Sequence, residues 1–556
     1  MRWTPCAILF LGVALLPREA ALGQSPDVEG FTIRGTIVEA GSRRPVNHAL
    51  VSISSVAQRD ESLSFRTGED GRFVFIQQKA GKYTLTAHMR GFPRQTLGAD
   101  EQYSTGIAVG PGVDSEHIIF PLIGGGSISG TVLDEESDPV RQAQIWLFRS
   151  GVFSGRSQLV LQDQRATNSS GQFRFPSLLP GTYFIQVQGQ PWYSQTNPAG
   201  PAPRSGNSEI DVSYPLTYYA GTTEPASASA LAVTEGSNST IQITLRAVPS
   251  LSLQVSGLAS KSPNSVNIQL WQQTLAGFQV PLYRGNASCS ENLCEVSGMA
   301  PGRYMVSLSN NVLGRPEGSA AQILTLAAST TVDASSFRSN SLSGSIAFEG
   351  STAPPPHASI ALQRVNGRGG LRISVSGDGS LSATFGPLLA GGYQMRLVNA
   401  PGYYLKSLAA KGATVSGGEI EISEIGPIQL SLVAARGLSS LNGTALKDGK
   451  PFAGAMVLLL PRDITRLDFL RRDQSDSDGT FTLRDAPPGR YILLAIDDGR
   501  NLAYCEPDAI KRYLSGGKEI TLPVPNSAAV TANVLERLQP EVQNGTSSSV
   551  MSMPRN

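Results

Sequence analysis

Alternating apolar residues recur along most of the chain in short runs, each bounded by a turn. Ala49, Val51 and Ile53 share one face of a run entered from the turn Gly41-Ser42-Arg43-Arg44-Pro45. Phe73 and Phe75 follow Asp70-Gly71, and Tyr83, Leu85 and Ala87 follow Gly81. A period of two with glycine or proline between runs predicts half-buried strands joined by tight turns. The same order returns at Phe173, Phe175 and Pro180-Gly181-Thr182-Tyr183, and at Asp478-Gly479, Phe481, Leu483 and Pro488-Gly489-Arg490-Tyr491. Register is pinned by this spacing, because a one-residue slip would turn every ring to water.

Five strand openers with a central glycine precede these closers: Ile33-Arg34-Gly35-Thr36-Ile37, Ile128-Ser129-Gly130-Thr131-Val132, Val255-Ser256-Gly257-Leu258, Leu342-Ser343-Gly344-Ser345-Ile346 and Leu441-Asn442-Gly443-Thr444-Ala445. The closing tyrosines, Tyr83, Tyr183, Tyr304, Tyr393 and Tyr491, stand 47 to 53 residues after their glycines. Such regularity marks one module used five times. With no amphipathic helix of ordinary length, each module must bury its strands against a second sheet. The expected fold is all-β: a tandem array of small seven-stranded antiparallel β-sandwich domains over residues 30–122, 123–248, 249–337, 338–436 and 437–536. Each closing tyrosine is expected to lay its ring over the core with its hydroxyl at the sandwich edge. Short connections between modules predict an elongated, semi-rigid rod. One short helix is expected at Pro507–Leu514, and residues 537–556 form a loose tail.

The third module is the weakest copy, with Asn292 at the turn glycine's place and Cys294 at that of the first phenylalanine. Cys289 and Cys294 are close enough to bridge a hairpin turn, and a module that lost a large apolar residue would gain from such a local disulfide. A fully reduced set, with Cys505 unpaired in either case, stays open.

Met1-Arg2, the apolar run Cys6–Leu16 and the small residues Ala20, Ala21 and Gly23 have the layout of an export signal, residues 1–23. The run is too short to span a bilayer comfortably. An exported chain is expected, periplasmic, on the outer surface or secreted, with no integral membrane segment after cleavage. Without the leader the chain carries 43 basic and 43 acidic side chains. That balance gives no long-range pull toward nucleic acid.

The opener, the proline-containing turn, the Asp-Gly-x-Phe turn and the Pro-Gly-x-Tyr closer resemble carboxypeptidase regulatory-like modules. That family has a transthyretin-like or prealbumin-like sandwich, a fold it shares with carbohydrate-binding-like modules. The segment from Tyr214 through Tyr218 and Tyr219 to Ala226 is similar to a tyrosine- and proline-rich stretch of secreted bacterial proteins built from such modules, with Leu216 and Ala220 where two prolines usually stand. The resemblance implies a fold and a secreted bacterial setting. It does not imply peptidase activity, because in that family the zinc centre sits in a separate domain.

The residues themselves show no catalytic cluster. His48, His88, His117 and His357 are scattered through two modules without zinc-ligand spacing. No nucleophile elbow or phosphate loop appears, and Gly124-Gly125-Gly126 reads as a hinge between modules. The acidic turn Asp476-Ser477-Asp478-Gly479 supplies too few oxygens for calcium and is expected to be solvated. No enzyme activity and no cofactor are therefore expected. The aromatic residues of module two remain as ligand candidates: Trp146, out of phase with Ile145 and Leu147, and Trp192, Tyr193, Tyr218 and Tyr219 in loops. Packing against the next module, contact with a polysaccharide and folding of the loop itself are three open readings of these rings. The leading reading is a non-catalytic structural or interaction protein, with a polysaccharide or another envelope or extracellular protein as partner. Carbohydrate binding through exposed rings is the alternative.

Overall fold

The computed structural model describes residues 30–538 except 59–60, 195–210, 259–265, 276, 284–287, 290–291, 313–314, 340, 366–369, 385–387, 389 and 524–528. The expected leader and most of the expected tail lie outside the described residues. Among them, five separate hydrophobic cores form, drawn from residues 33–122, 128–245, 253–337, 342–434 and 441–532.

In the first unit a three-stranded sheet, in the order Arg72–Gln78, Phe31–Glu39, Ile118–Leu122, packs against a five-stranded sheet centred on Leu50–Ser55 and Gly81–Met89. The second unit repeats the three-plus-five arrangement, and the third and fourth pair a four-stranded with a five-stranded sheet. In the fifth, Val530–Leu535 pairs with strands of both halves and joins them into one eight-stranded system. The seven-stranded expectation is corrected for a definable reason. In the first two units the outer edge of the closer strand is covered by two short strands instead of one: Phe92–Thr96 and Ile107–Val109 along Gly81–Met89, and Thr217–Tyr218 and Leu231–Val233 along Gly181–Gln188.

Nor are the sandwiches wholly antiparallel. Every opener strand lies parallel to the last strand of its own unit, with Gly35 opposite Ile118, Gly130 opposite Ile241, Gly344 opposite Leu430 and Gly443 opposite Val530. On its other side the same glycine faces Phe73, Phe173, Leu381 or Phe481. A Cβ at Gly130 would lie 2.6 Å from the Ile241 carbonyl and 2.7 Å from the Phe173 ring, so the large ring occupies the space the missing side chain leaves. In the third unit the corresponding position is Val255, opposite Cys294 and Val332, two residues before Gly257. There the small and large partners are exchanged: valine replaces the glycine and cysteine replaces the ring.

The five closing tyrosines are buried, between 1% and 8% exposed. Four of their hydroxyls donate to the carbonyl four residues upstream: Tyr83 to Lys79 at 2.9 Å, Tyr183 to Leu179 at 2.7 Å, Tyr304 to Ala300 at 2.6 Å and Tyr491 to Pro487 at 2.7 Å. Each bond ties the turn before the closer to the ring that seals the core.

The expected rod does not form. Parallel first and last strands place a unit's entry and exit at opposite ends, which favours end-to-end stacking, yet the fifth unit returns to the first. Gln474 Nε2 donates to the Gly98 carbonyl at 2.6 Å and to Thr105 Oγ1 at 2.8 Å, and the Ala108 N–H donates to Ser477 Oγ at 2.9 Å. The chain closes on itself.

Candidate functional site

The closure is built on a densely charged stretch, Arg462 to Asp478, that forms the last turns and strand before the Asp478-Gly479 hairpin. Arg472 enters from strand Arg471–Gln474 with its side chain only 2% exposed. Its guanidinium pairs with Asp100 of the first unit and lies over the rings of Tyr103, at 4.5 Å, and Tyr504, at 5.3 Å. A buried guanidinium needs both its counter-ion and these π faces to offset desolvation. The acidic turn is a second correction. Asp476 pairs with Lys82 and accepts from the Gly106 N–H at 2.9 Å, and the Ser477 N–H donates to the Gly106 carbonyl at 2.8 Å. Burial pushes the Asp476 carboxyl above its ordinary range, with Lys82 pulling it back. The turn is a docking element rather than a solvated loop.

A third element meets the closure from the side. The hairpin of strands Gln144–Phe153 and Arg156–Ala166 in the second unit reaches three others through its tip. The Ser154 N–H donates to Glu101 of the first unit at 2.7 Å, and Arg156 pairs with Glu419 of the fourth at 3.0 Å. The Cys505 N–H of the fifth donates to the Gly155 carbonyl at 2.9 Å, and the Ser157 N–H to Glu506 at 2.7 Å. Gly155 is required here: its φ is +74° and any Cβ would strike the Tyr504 ring. Burial between this tip and its own unit's apolar cluster pushes the Cys505 thiol up to about 11.

Between the first, second, fourth and fifth units lies a crevice of about 2280 Å³. Its wall carries many arginines with the half-buried rings of Phe153, Tyr404 and Phe469, the last two meeting edge to face at 5.6 Å. Arg471 holds the carbonyls of Asp468, Leu470 and Asp485 at 2.7 to 3.0 Å, and burial lowers its pKa from the usual guanidinium value. The nearby Arg396 acts on it in the same sense. Sequence reasoning missed this site because its residues come from four units. The one local signal is the charge density of Arg462–Asp478 in a chain only 16% charged.

The aromatic candidates separate into two groups. Trp146 points away from the sandwich core, as its phase requires, but is 2% exposed; with Phe148, Leu216 and Tyr218 it forms a satellite core covered by Leu275 of the third unit. Tyr218, 1% exposed, and Trp146 present no open face to a ligand. Tyr219 is partly buried against the second unit's main core. Trp192 is 71% exposed, with Tyr193 edge to face at 5.7 Å. The Tyr193 hydroxyl donates to Glu135 at 2.8 Å and is pushed up to about 12, chiefly by desolvation. Cys294 is disulfide-bonded, and Cys289 stands directly opposite it in cross-strand register. Among the described residues no group of three or more His, Cys, Asp or Glu is placed to hold a metal ion.

The model of the carboxypeptidase regulatory-like domain matches residues 32–119 and 127–246. These two segments are carboxypeptidase regulatory-like domains. The opener, turn and closer described above are therefore the regulatory-like framework in the first two units, and the fourth and fifth repeat its register. No curated protein matches the chain. Among solved structures, the Bacillus anthracis TIE protein is 12% identical over 74% of this chain and 69% of its own, with a TM-score of 0.15. The minor pilin GBS52 of Streptococcus agalactiae is 14% identical over 39% of this chain and 97% of its own, and the shaft pilin SpaA of Lactobacillus rhamnosus GG 9% identical over 42% and 99%, both with TM-scores of 0.19. At scores this low neither the arrangement of the units nor a function follows from these likenesses.

Proposed function

We propose that this chain is a non-catalytic, exported interaction protein of five regulatory-like sandwiches that close into one scaffold. The closure through Arg472, Gln474 and Asp476 carries the reading, because it commits buried polar groups to holding units together and leaves a shared crevice. Export rests on the leader-like residues 1–23, and N-terminal sequencing of the exported chain is expected to begin at Gln24. The Cys289–Cys294 bridge belongs to the same proposal and suits an oxidising compartment. Incubation with peptide, ester and glycoside substrates, with and without added zinc, is expected to give no turnover. Turnover abolished by a chelator would overturn the reading.

Carbohydrate contact is the second reading, favoured by the exposure of Trp192 beside Tyr193. A flat, exposed indole stacks on the apolar face of a sugar ring. Retention on a neutral polysaccharide that Trp192→Ala abolishes would support it. Equal retention of the variant, or none by the parent, would overturn it.

A further inference from the structure

The geometry points to the crevice between the first, second, fourth and fifth units as a binding site for an acidic, uronate-bearing polysaccharide. Its charge is one-sided although the mature chain is neutral. Among the described residues, Arg94, Arg149, Arg396, Arg484 and Arg500 line the crevice without an ion pair, while the Arg471 guanidinium is taken up by three backbone carbonyls. The lining carboxylates are mostly committed elsewhere: Asp100 and Glu101 face Arg472, Glu419 pairs with Arg156 and Asp468 with Arg466. That leaves Asp473, which accepts from the Thr482 N–H at 2.6 Å, and the exposed Asp485. Five guanidinium groups thus face two carboxylates.

The ligand class follows from shape and charge together. At about 2280 Å³ the space exceeds the several hundred Å³ of an ordinary small-molecule site, which favours a polymer segment. Planar carboxylates match the guanidinium fork. Phe153, Tyr404 and Phe469 offer small, tilted apolar faces suited to sugar C–H groups, while the parallel platforms that stack successive bases are missing from this set. This deepens the interaction reading, and the two fail separately: turnover overturns that reading, and absence of binding overturns this one.

The test is titration of the full mature chain with polygalacturonate, against dextran and single-stranded DNA. Expected are binding to polygalacturonate that weakens with salt, and a loss of about tenfold or more in the Arg396→Glu/Arg484→Glu variant. Both arginines are exposed, so its melting point is expected to be unchanged; should it misfold, Arg500→Glu replaces it. Trp192→Ala is expected to bind as the parent does. No binding, binding undiminished by charge reversal, or equal binding of DNA would each overturn the proposal.

Discussion

At the residue scale, the repeated tyrosine and glycine solve two problems of a small sandwich. The closer ring fills the core while its hydroxyl satisfies a carbonyl of the preceding turn, so removing each part has a different cost. Tyr491→Phe leaves the Pro487 carbonyl without its donor and is expected to cost about 1 to 2 kcal/mol. Tyr491→Ala also opens a cavity and is expected to cost about 3 to 5 kcal/mol in urea unfolding. Unchanged midpoints in both would mean the ring carries no packing. The Gly-to-ring pair makes a sharper claim, because the third unit shows the exchange with Val255 and Cys294. Gly130→Val alone forces a side chain against the Ile241 carbonyl and into the Phe173 ring, and adding Phe173→Cys relieves the clash with the ring while the carbonyl contact remains. The double variant is expected to be more stable than the sum of the singles by about 1 to 3 kcal/mol. Additivity would refute the exchange. The tyrosines were legible because burial and spacing are local properties; the third unit's register was not, because Gly257 mimics the opener while standing two residues beyond its structural place.

At the scale of elements, the same short hairpin has different fates in different units. The Asp70-Gly71 turn keeps to its own sandwich, whereas Asp476-Ser477-Asp478-Gly479 docks on strand Ile107–Val109 of the first unit and the loop before it. The two turns differ where the contact is made, Gly68 and Glu69 standing where Asp476 and Ser477 meet Lys82 and the Gly106 and Ala108 amides. The docking has a pH signature with an unexpected sign. Burial raises the carboxyls of Glu101, Asp473 and Asp476, against the opposing pull of Lys82 and Arg472 and reinforced by Asp100 and Asp478. A carboxyl raised in the closed form binds more protons there than when the units separate. Closure therefore strengthens as pH falls through the window from the raised values to the ordinary carboxylate pKa, and weakens as pH rises through it. Limited proteolysis of the first and fifth units' contact is expected to slow between pH 7 and pH 4.5, and Asp476→Asn to flatten that dependence. Faster cleavage on acidification would show that the Lys82 ion pair outweighs burial. Arg472 is different, since removing Asp100 leaves a buried guanidinium with only Glu101, at 3.9 Å, as counter-ion: Asp100→Ala is expected to weaken closure by up to about 3 kcal/mol.

At the scale of the whole molecule, five cores that could stand apart are made interdependent by a few long-range polar contacts. Periodicity reveals each core because its residues repeat at fixed spacing. It cannot reveal that residues near 100, 155, 420 and 475 converge, since no local pattern encodes which surfaces meet. Hence the rod expectation failed while the all-β repeat architecture stands. Cys505 offers a direct probe of the converged state. It is the free cysteine among the described residues, its amide is held by Gly155, and burial raises its thiol to about 11. At pH 7.5 so little thiolate forms that alkylation of the folded chain is expected to be far slower than that of an unfolded peptide. Charge reversal at the tip contact, by Glu506→Lys, removes the Ser157 partner without touching any core. If the hairpin tip holds the units together, that variant alkylates Cys505 faster and scatters as a more extended particle, while each unit's urea midpoint stays in place. Rapid alkylation of the parent, at the rate of the unfolded chain, would mean that the second and fifth units are separated in solution and that the closed scaffold, with its crevice, does not persist there.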